Sequence, residues 1–362
     1  MILLLNLVAV FFLLLSYLSP IINPSDFWFF AFIGLAYPFI AAINILFILF
    51  WILRLNKYFL ISLIFMSLGY QHFINHFNLF NHSEAINKHE KSIKIFSYNV
   101  RLFDFYQWIN GDKESEGKIF DLIENESPDV VCFQEFFNDD THQPNTLKRF
   151  TQAQDAKYYH VDYFMTKRKI HHWGIATFSK YPIINRDRFQ FINSQANYCI
   201  ITDILYKNQD TVRVFNVHFE SWHFQNTDYK FLEDIKATNT EQDNLKSGLK
   251  NIYWKMMSSY KKRGEQVDVM TALIENSPYP VIVCGDFNDT PGSYVYRQMT
   301  SDRLEDSFVE AGSGIGRTYA GSFPSFRIDY ILHSKEFKAR NFVKYRVKLS
   351  DHYPISTVLE FN

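Results

Sequence analysis

The stretch Pro280-Val281-Ile282-Val283-Cys284-Gly285-Asp286-Phe287-Asn288 constrains the fold more than any other part of the chain. Residues 281–284 are an unbroken apolar run, which predicts a fully buried strand. The run stops at Gly285, and Asp286 and Asn288 follow. Alternate residues of an extended chain share a face, so these two side chains are expected to point the same way. A carboxylate beside a carboxamide at a buried strand end is costly unless something polar meets it. Thr290-Pro291-Gly292 then turns the chain away. The ordinary alternative is a strand followed by an Asx turn.

Apolar runs that stop at a polar residue recur along residues 93–362. Residues 93–100 predict a strand ending near Asn99, and 129–135 a strand ending on Glu135, with Pro128 marking its start. Residues 158–165 and 174–179 predict two more strands, the second closed by Lys180-Tyr181-Pro182. Residues 198–205 and 211–219 predict a hairpin with His218 near its end. Residues 327–333, 343–349 and 355–361 complete the strands, with Asp329 in the first of them and Ser350-Asp351-His352 before the last. Between them, Ile119, Leu122 and Ile123 share one face of a helix over 117–126. Residues 227–275 are polar and helical in pattern, with Leu245, Leu249, Ile252 and Met256 on one face and a break near Gly264. Strands and helices mixed with hairpins indicate an α+β fold, or a two-sheet sandwich with outer helices.

The first 80 residues are of a different kind. Runs 2–18 and 27–53 are almost wholly apolar, and 58–70 is a third, shorter run. A bilayer span needs roughly 20 such residues, so the expectation is a transmembrane region over 1–80 with three helices. A signal peptide is the alternative for the first run, but a basic leading segment is lacking. A linker over 81–92 and a catalytic domain over 93–362 complete the expected organisation. Arg54 and Lys57 lie between the second and third runs, whereas 19–26 carries no Lys or Arg. The positive-inside rule then puts Arg54 and Lys57 in the cytoplasm and, with three spans, the catalytic domain on the non-cytoplasmic side. A third run lying in the interface would reverse that, and Lys88, Lys91 and Lys94 favour this alternative.

The formal net charge of −1 excludes a global basic field that would draw in nucleic acid. Cys132, Cys199 and Cys284 form no Cys-x-x-Cys pair and no disulfide framework. Cys132 and Cys284 lie in apolar runs and are expected to be buried.

Taken singly, each polar strand end has a plain structural reading. Asn99 could cap a turn, Glu135 could be solvated, His218 could be a satisfied core histidine, and Asp329 could pair with Arg327. Their recurrence points to one shared polar floor. Tyr98-Asn99-Val100-Arg101, Gln134-Glu135, Gly285-Asp286-Phe287-Asn288, Arg327-Ile328-Asp329-Tyr330 and Ser350-Asp351-His352 together resemble the endonuclease/exonuclease/phosphatase superfamily, in that family's order. Asn216-Val217-His218 resembles the family's other histidine motif, and Arg263 and Gln266 sit where its helix precedes the Gly-Asp-x-Asn strand.

The resemblance implies a DNase I-like four-layer α/β sandwich, preceded here by the transmembrane helices. It implies hydrolysis of a phosphoester with Mg²⁺, or Mn²⁺ in its place. Carried over by motif, Glu135, Asn99 and Asp351 would serve the metal. Asp286 would orient or deprotonate the attacking water. Asn288 and His352 would contact the phosphate, with Asp329 polarising His352, and His218 would be a second phosphate contact or acid. Asn99 would also face substrate.

The first functional expectation is a membrane-anchored Mg²⁺-dependent phosphodiesterase of the nuclease type. Its rivals are a lipid or sugar-phosphate phosphodiesterase and a catalytically silent, membrane-held binding module. The expected partners are a phosphoester, either nucleic acid or a phospholipid head group, and the membrane; no protein partner is inferable. Lys167-Arg168-Lys169 with His171, His172 and Trp173 is the candidate rim for nucleic acid.

Overall fold

The computed structural model describes residues 1–79, 91–106, 114–141, 143–154, 156–192, 194–207, 210–236, 242–300, 303–321 and 326–362. Most of the expected linker, 81–90, lies outside the described residues. The chain divides into two compact units. The first contains residues 1–79, 220–271 and 289–299, and the second 80–219, 272–288 and 300–362. Compactness therefore cuts the chain differently from hydropathy, because residues 220–271 and 289–299 belong with the apolar N-terminal region.

In the first unit, helices Ile2–Ser16, Tyr37–Leu53 and Phe59–Leu68 pack on one another. Their polarity is inverted. The side chains they bury include Asn6, Asn44 and Ser62, whereas Leu4, Leu46, Leu53 and Leu68 are exposed. The buried polar groups satisfy one another. Asn6 Nδ2 donates to Ser62 Oγ at 2.6 Å, Ser62 Oγ to Asn44 Oδ1 at 3.0 Å, and Trp51 Nε1 to Asn6 Oδ1 at 2.9 Å.

No single helix among the described residues is long and apolar enough to cross a membrane. Helices Phe29–Leu35 and Tyr37–Leu53, bent by 56° at their junction, meet the length and composition requirement together. The second apolar run is thus two helices rather than one. Pro38 lies in the first turn of the later helix, where its missing N–H is not needed; inside a continuous helix it would remove a hydrogen bond.

Also within this unit, Trp28 and Phe32 pack against Tyr253 of helix Gln242–Glu275. That helix is continuous through Gly264, so the expected break is absent. A Cβ at Gly264 would meet Asn23 Oδ1 at 2.4 Å, so the glycine admits a close neighbour rather than ending the helix.

The second unit contains twelve strands among the described residues. In chain order they are β1 (Ser92–Asn99), β2 (Val130–Asp139), β3 (Tyr158–Lys167), β4 (His171–Ser179), β5 (Ile183–Gln190), β6 (Tyr198–Leu205), β7 (Thr211–His218), β8 (Val281–Asp286), β9 (Leu304–Asp306), β10 (Asp329–Ser334), β11 (Phe337–Lys344) and β12 (Ile355–Phe361). They form two six-stranded mixed sheets, ordered β11-β12-β1-β2-β4-β3 and β5-β6-β7-β8-β10-β9. Ile95, Val130 and Cys132 of one sheet share a buried cluster with Val214, Ile282 and Cys284 of the other. The outer face of the first sheet is covered by helix Ser115–Glu126, whose Ile119, Phe120 and Ile123 pack with Phe96, Val131 and Phe133. The three cysteines are buried free thiols.

Three expectations are corrected. β2 does not end at Glu135 but runs to Asp139, and its pairing with β4 shifts register between Phe133 and Phe136. Glu135 sits in that irregularity with φ 50°, a bulge that turns its side chain without ending the strand. β8 ends at Asp286, and Asn288 has φ 52°, so the alternation that would align the two side chains stops before Asn288. Residues 345–349 are not a strand, because the pairing of β11 with β12 stops at Lys344 opposite Ile355. Their alternation has another cause: Tyr345 and Leu349 pack against the Phe96 cluster.

Gly285 lies beside β7, where a Cβ would meet the Val217 carbonyl oxygen at 2.1 Å. Gly285→Ala is expected to lower the thermal unfolding midpoint through an overpacking cost of about 1–3 kcal/mol. An unchanged midpoint would show that the strand ahead of Asp286 can yield without loss.

Candidate active site

Each sheet of the second unit has one parallel pair, β1 with β2 and β7 with β8. Parallel neighbours end at the same edge. Asn99 is the last residue of β1, His218 of β7 and Asp286 of β8. His218 pairs across from Asp286, and Asp329, the first residue of antiparallel β10, pairs with Asp286 from the other side. Sheet register therefore sets His218, Asp286 and Asp329 side by side, while Asn99 ends a strand of the other sheet.

Asp286 is the hub. Its Oδ2 lies 3.0 Å from Asn99 Nδ2, 3.6 Å from His352 Nε2 and 3.8 Å from His218 Nε2. Its Oδ1 accepts the Asn288 N–H at 2.8 Å, an Asx turn that fixes the chain just after the strand. Burial pushes the Asp286 carboxyl up to about 7, against the pull of His352 and with a further push from Asp329.

Asn99 Nδ2 also donates to Glu135 Oε1 at 3.1 Å, and its Oδ1 accepts the Arg101 N–H at 3.1 Å. Oxygen and nitrogen of this amide are thereby distinguished, and the nitrogen faces the two carboxylates. Glu135 Oε1 lies 3.8 Å from His218 Nε2.

His352 Nδ1 donates to Asp329, 2.9 Å from Oδ2 and 3.0 Å from Oδ1. Burial alone would lower the imidazole pKa, but the Asp329 and Asp286 carboxylates outweigh it and raise it well above the ordinary value. Asp351 Oδ2 pairs with Arg101 Nη1 at 3.1 Å, and its Oδ1 lies 4.0 Å from His352 Nε2. Burial raises the Asp351 carboxyl, opposed by His352 and Arg101. Asn288 joins the group through its backbone, while its side-chain Nδ2 donates to the Phe219 carbonyl at 3.0 Å.

The structure thus gathers Asn99, Glu135, His218, Asp286, Asp329, Asp351 and His352, with Asn288 at the margin. Among the described residues, Asp286, Asp329 and His352 have ligand atoms close enough to share a metal ion. The wider set is rich in carboxylate oxygen, the donor type that suits a hard divalent cation.

Supporting residues were not legible as such. Ser350 Oγ donates to the Asn99 carbonyl at 2.8 Å, tying the loop before β12 to the end of β1. Thr318 Oγ1 accepts the N–H of Asp329 at 3.1 Å. Below the site, Gln134 Nε2 donates to Asn216 Oδ1 at 2.7 Å, a fully buried bridge between the sheets. Arg101, Ser350, Gln134 and Asn216 stand inside or beside recognisable motifs, which is the only signal the sequence offers; Thr318 offers none.

The candidate basic rim resolves differently. Arg168 and Lys169 form the tight turn between β3 and β4, with φ 55° and 61°. His171 and His172 face Asp139 and Asp140 of the β2 end, at 3.5 and 3.0 Å. Arg263 and Gln266 support a backbone in the first unit, where Arg263 is buried against Asp289 at 3.0 Å and Gln266 Oε1 accepts the Glu220 N–H at 3.0 Å.

Residues 96–352 match the sequence model of the Endonuclease/Exonuclease/phosphatase family. The chain belongs to this family. Residues 1–76 match a second model, described as a domain of unknown function, DUF8431. No curated protein matches the chain. Among solved structures, a family protein from Leptotrichia buccalis is 18% identical with TM-score 0.53, covering 74% of this chain and 100% of its own. The human Nocturnin catalytic domain, with a bound sulfate anion, is 17% identical with TM-score 0.52, covering 77% of this chain and 97% of its own. A mannosyl-6-phosphatase from Bacteroides thetaiotaomicron is 18% identical with TM-score 0.51, covering 74% of this chain and 100% of its own. At these identities the likeness establishes the DNase I-like fold. The family consists of hydrolases acting on phosphoester bonds and is generally dependent on a divalent metal.

The His352–Asp329 contact generates a direct test. Asp329→Asn removes the carboxylate that holds the imidazolium, so the His352 pKa should fall. NMR titration of metal-free protein should show the His352 ring losing its proton at lower pH in the variant. An unmoved titration would mean that Asp329 does not set the charge of His352.

Proposed function

We propose that this chain is a Mg²⁺-dependent phosphodiesterase whose catalytic unit is tethered to a membrane by its N-terminal helices. The observation that carries the catalytic part is the position of Asp286 Oδ2, which faces Asn99, His352 and His218 together. A buried carboxylate among two histidines and an amide is costly to assemble for stability alone.

In this reading Glu135 is the principal metal residue, with Asp351 adding charge and Mn²⁺ able to replace Mg²⁺. A divalent cation bound there supplies Lewis-acid polarisation of the phosphoryl oxygens. The chain supplies the rest. Asp286, raised to about 7, takes a proton from the attacking water near neutral pH. His352, held as imidazolium by Asp329, donates from Nε2 to a phosphoryl oxygen as charge develops there. Asn288 gives one amide hydrogen to Phe219 and has the second for the substrate. His218 is the second phosphate contact or the acid for the leaving oxygen. Asn99, whose nitrogen faces Glu135 and Asp286, holds the two carboxylates apart and in place; contact with metal or substrate would fall to its Oδ1.

The anchoring part rests on the inverted polarity of the N-terminal helices. Exposed Leu46, Leu53 and Leu68 around a buried Asn6–Ser62–Asn44 network suit a lipid surrounding better than water. Helix Ile2–Ser16 has 15 residues, about 22 Å at the α-helical rise, so crossing would need its flanking turns or a thinned bilayer. With Arg54 and Lys57 in the cytoplasm, a further crossing places the catalytic unit on the non-cytoplasmic side. The same helices favour a second reading for the substrate, a phospholipid head group in place of nucleic acid.

Full-length protein in detergent should hydrolyse at least one member of a panel in a Mg²⁺-dependent way. The panel comprises bis-p-nitrophenyl phosphate, plasmid and abasic DNA, RNA, sphingomyelin and phosphoinositides. Glu135→Ala should abolish that turnover, and His352→Ala should reduce kcat about 10²–10³-fold, the usual effect of losing one transition-state donor. Full activity in Glu135→Ala, or silence across the panel, would overturn the assignment; cleavage of lipid alone would select the second reading. For the anchor, a reporter that works only outside the cytoplasm, fused after Asn362, should be active. Activity of a cytoplasmic reporter instead would reject the proposed orientation.

A further inference from the structure

β10 starts at Asp329 in the candidate active site; its far end carries another group of ligand-type side chains. His333 pairs with Glu305 in the β9/β10 register, so the two side chains stand side by side. Glu310, on helix Ser307–Ala311, brings a second carboxylate. Ligand atoms of the three residues lie within 4.8 Å of one another.

The state of the His333 ring points to what is bound there. The ring is fully buried. Its Nδ1 lies 3.2 Å from the Ser334 carbonyl oxygen. A carbonyl only accepts, so Nδ1 carries the hydrogen, and in the neutral ring Nε2 presents a lone pair. That Nε2 makes no hydrogen bond, yet it faces Glu310 Oε2 at 3.1 Å. Glu310 Oε2 is held in place by the Ala339 N–H, which donates to it at 2.7 Å. Two lone-pair atoms at this separation repel unless a cation lies between them. A proton on Nε2 would serve only along a hydrogen bond, and the contact lacks that geometry.

We propose that Glu305, Glu310 and His333 bind a divalent metal ion of the borderline class, Zn²⁺ first, at a site separate from the catalytic centre. One imidazole nitrogen with two carboxylate oxygens is a zinc-type donor set, whereas Mg²⁺ prefers oxygen throughout. A histidine whose other ring N–H is fixed by a backbone carbonyl has the tautomer and orientation that metal-binding histidines use. Two carboxylates balance the ion's charge. Glu305 is exposed, which leaves the site open to solvent and a fourth position to water. Bound there, the ion pins edge strand β9 and the following helix to β10.

Full-length, metal-free protein carrying Glu135→Gln and Asp286→Asn, which together weaken both metal-ligand groups of the candidate active site, is titrated with Zn²⁺ against a chromophoric chelator and with Co²⁺ as a spectroscopic probe. One Zn²⁺ per chain is expected, with Co²⁺ d–d bands and a raised unfolding midpoint. Adding Glu305→Gln, a surface change that leaves the core untouched, should weaken binding at least about tenfold. Adding His333→Gln should remove the bands and the midpoint shift. Absence of stoichiometric Zn²⁺, or affinity unchanged by Glu305→Gln, overturns the proposal and leaves a His333–Glu310 ion pair. The readouts do not depend on hydrolysis, so they stand whether or not the catalytic reading does.

Discussion

A carboxylate with 1% of its surface exposed sits where two sheets end, and the second unit is arranged around its needs. Asp286 cannot be left bare at that depth. Its partners come from four separate segments. Asn99 comes from the end of β1, His218 from β7, His352 from the loop before β12, and the Asn288 N–H from the turn that follows. These partners are supported in turn: Asp329 holds His352, and Ser350 holds the end of β1 at Asn99. The network closes only if both sheets keep their register. The buried Gln134–Asn216 bridge between β2 and β7 fixes that register just below the site. Removal of either amide would strand a buried polar group as well as loosen the sheets.

Much of this was legible because strand ends are legible. An apolar run followed by Asn, His or Asp gave the right positions for Asn99, His218 and Asp286, and each is the last residue of its strand. The apolar pattern marks the strand carrying Glu135 but not its end, because a bulge has no composition and pairing continues to Asp139. The direction of Asn288 departs from the pattern for a similar reason, since alternation presumes an extended chain and φ 52° is not extended. β5 carries no strand signal in the sequence. It is an edge strand whose residues 184–188 are all exposed, and its middle reads Arg186-Asp187-Arg188, so it has no apolar alternation to detect. The partners of Asp329 across the β8/β10 pairing lie more than forty positions away, beyond any local pattern.

The N-terminal region shows the opposite limit. Hydropathy reports that a segment is apolar, and all three runs are helical. It does not report where a helix must stop, and Pro38 divides the second run. Nor does it report the inside-out arrangement. Asn6, Asn44 and Ser62 are isolated polar residues in apolar runs, and the helices turn them toward one another. The bundle exposes Leu4, Leu46, Leu53 and Leu68, while Asn6, Asn44 and Ser62 meet in its interior.

Backbone strain next to the site explains why its geometry cannot be read from residue types. Arg101, Leu102, Phe103 and Asp104 all have φ between 42° and 58°. One left-handed residue costs roughly 1–2 kcal/mol, and four in succession require firm restraint. The restraint is aromatic. The Phe103 ring is buried edge-on against Phe120, Phe133 and Phe136, with centroids 5.8, 5.7 and 5.6 Å away. Phe133 and Phe136 flank the bulge that carries Glu135, so the same rings hold both departures from ordinary backbone. The turn aims Arg101 at Asp351 and the bulge aims Glu135 toward Asn99. Two acidic side chains are therefore positioned by a cluster of phenylalanines that carry no chemistry. Packing on the outer face of the first sheet thus sets the electrostatics at its edge.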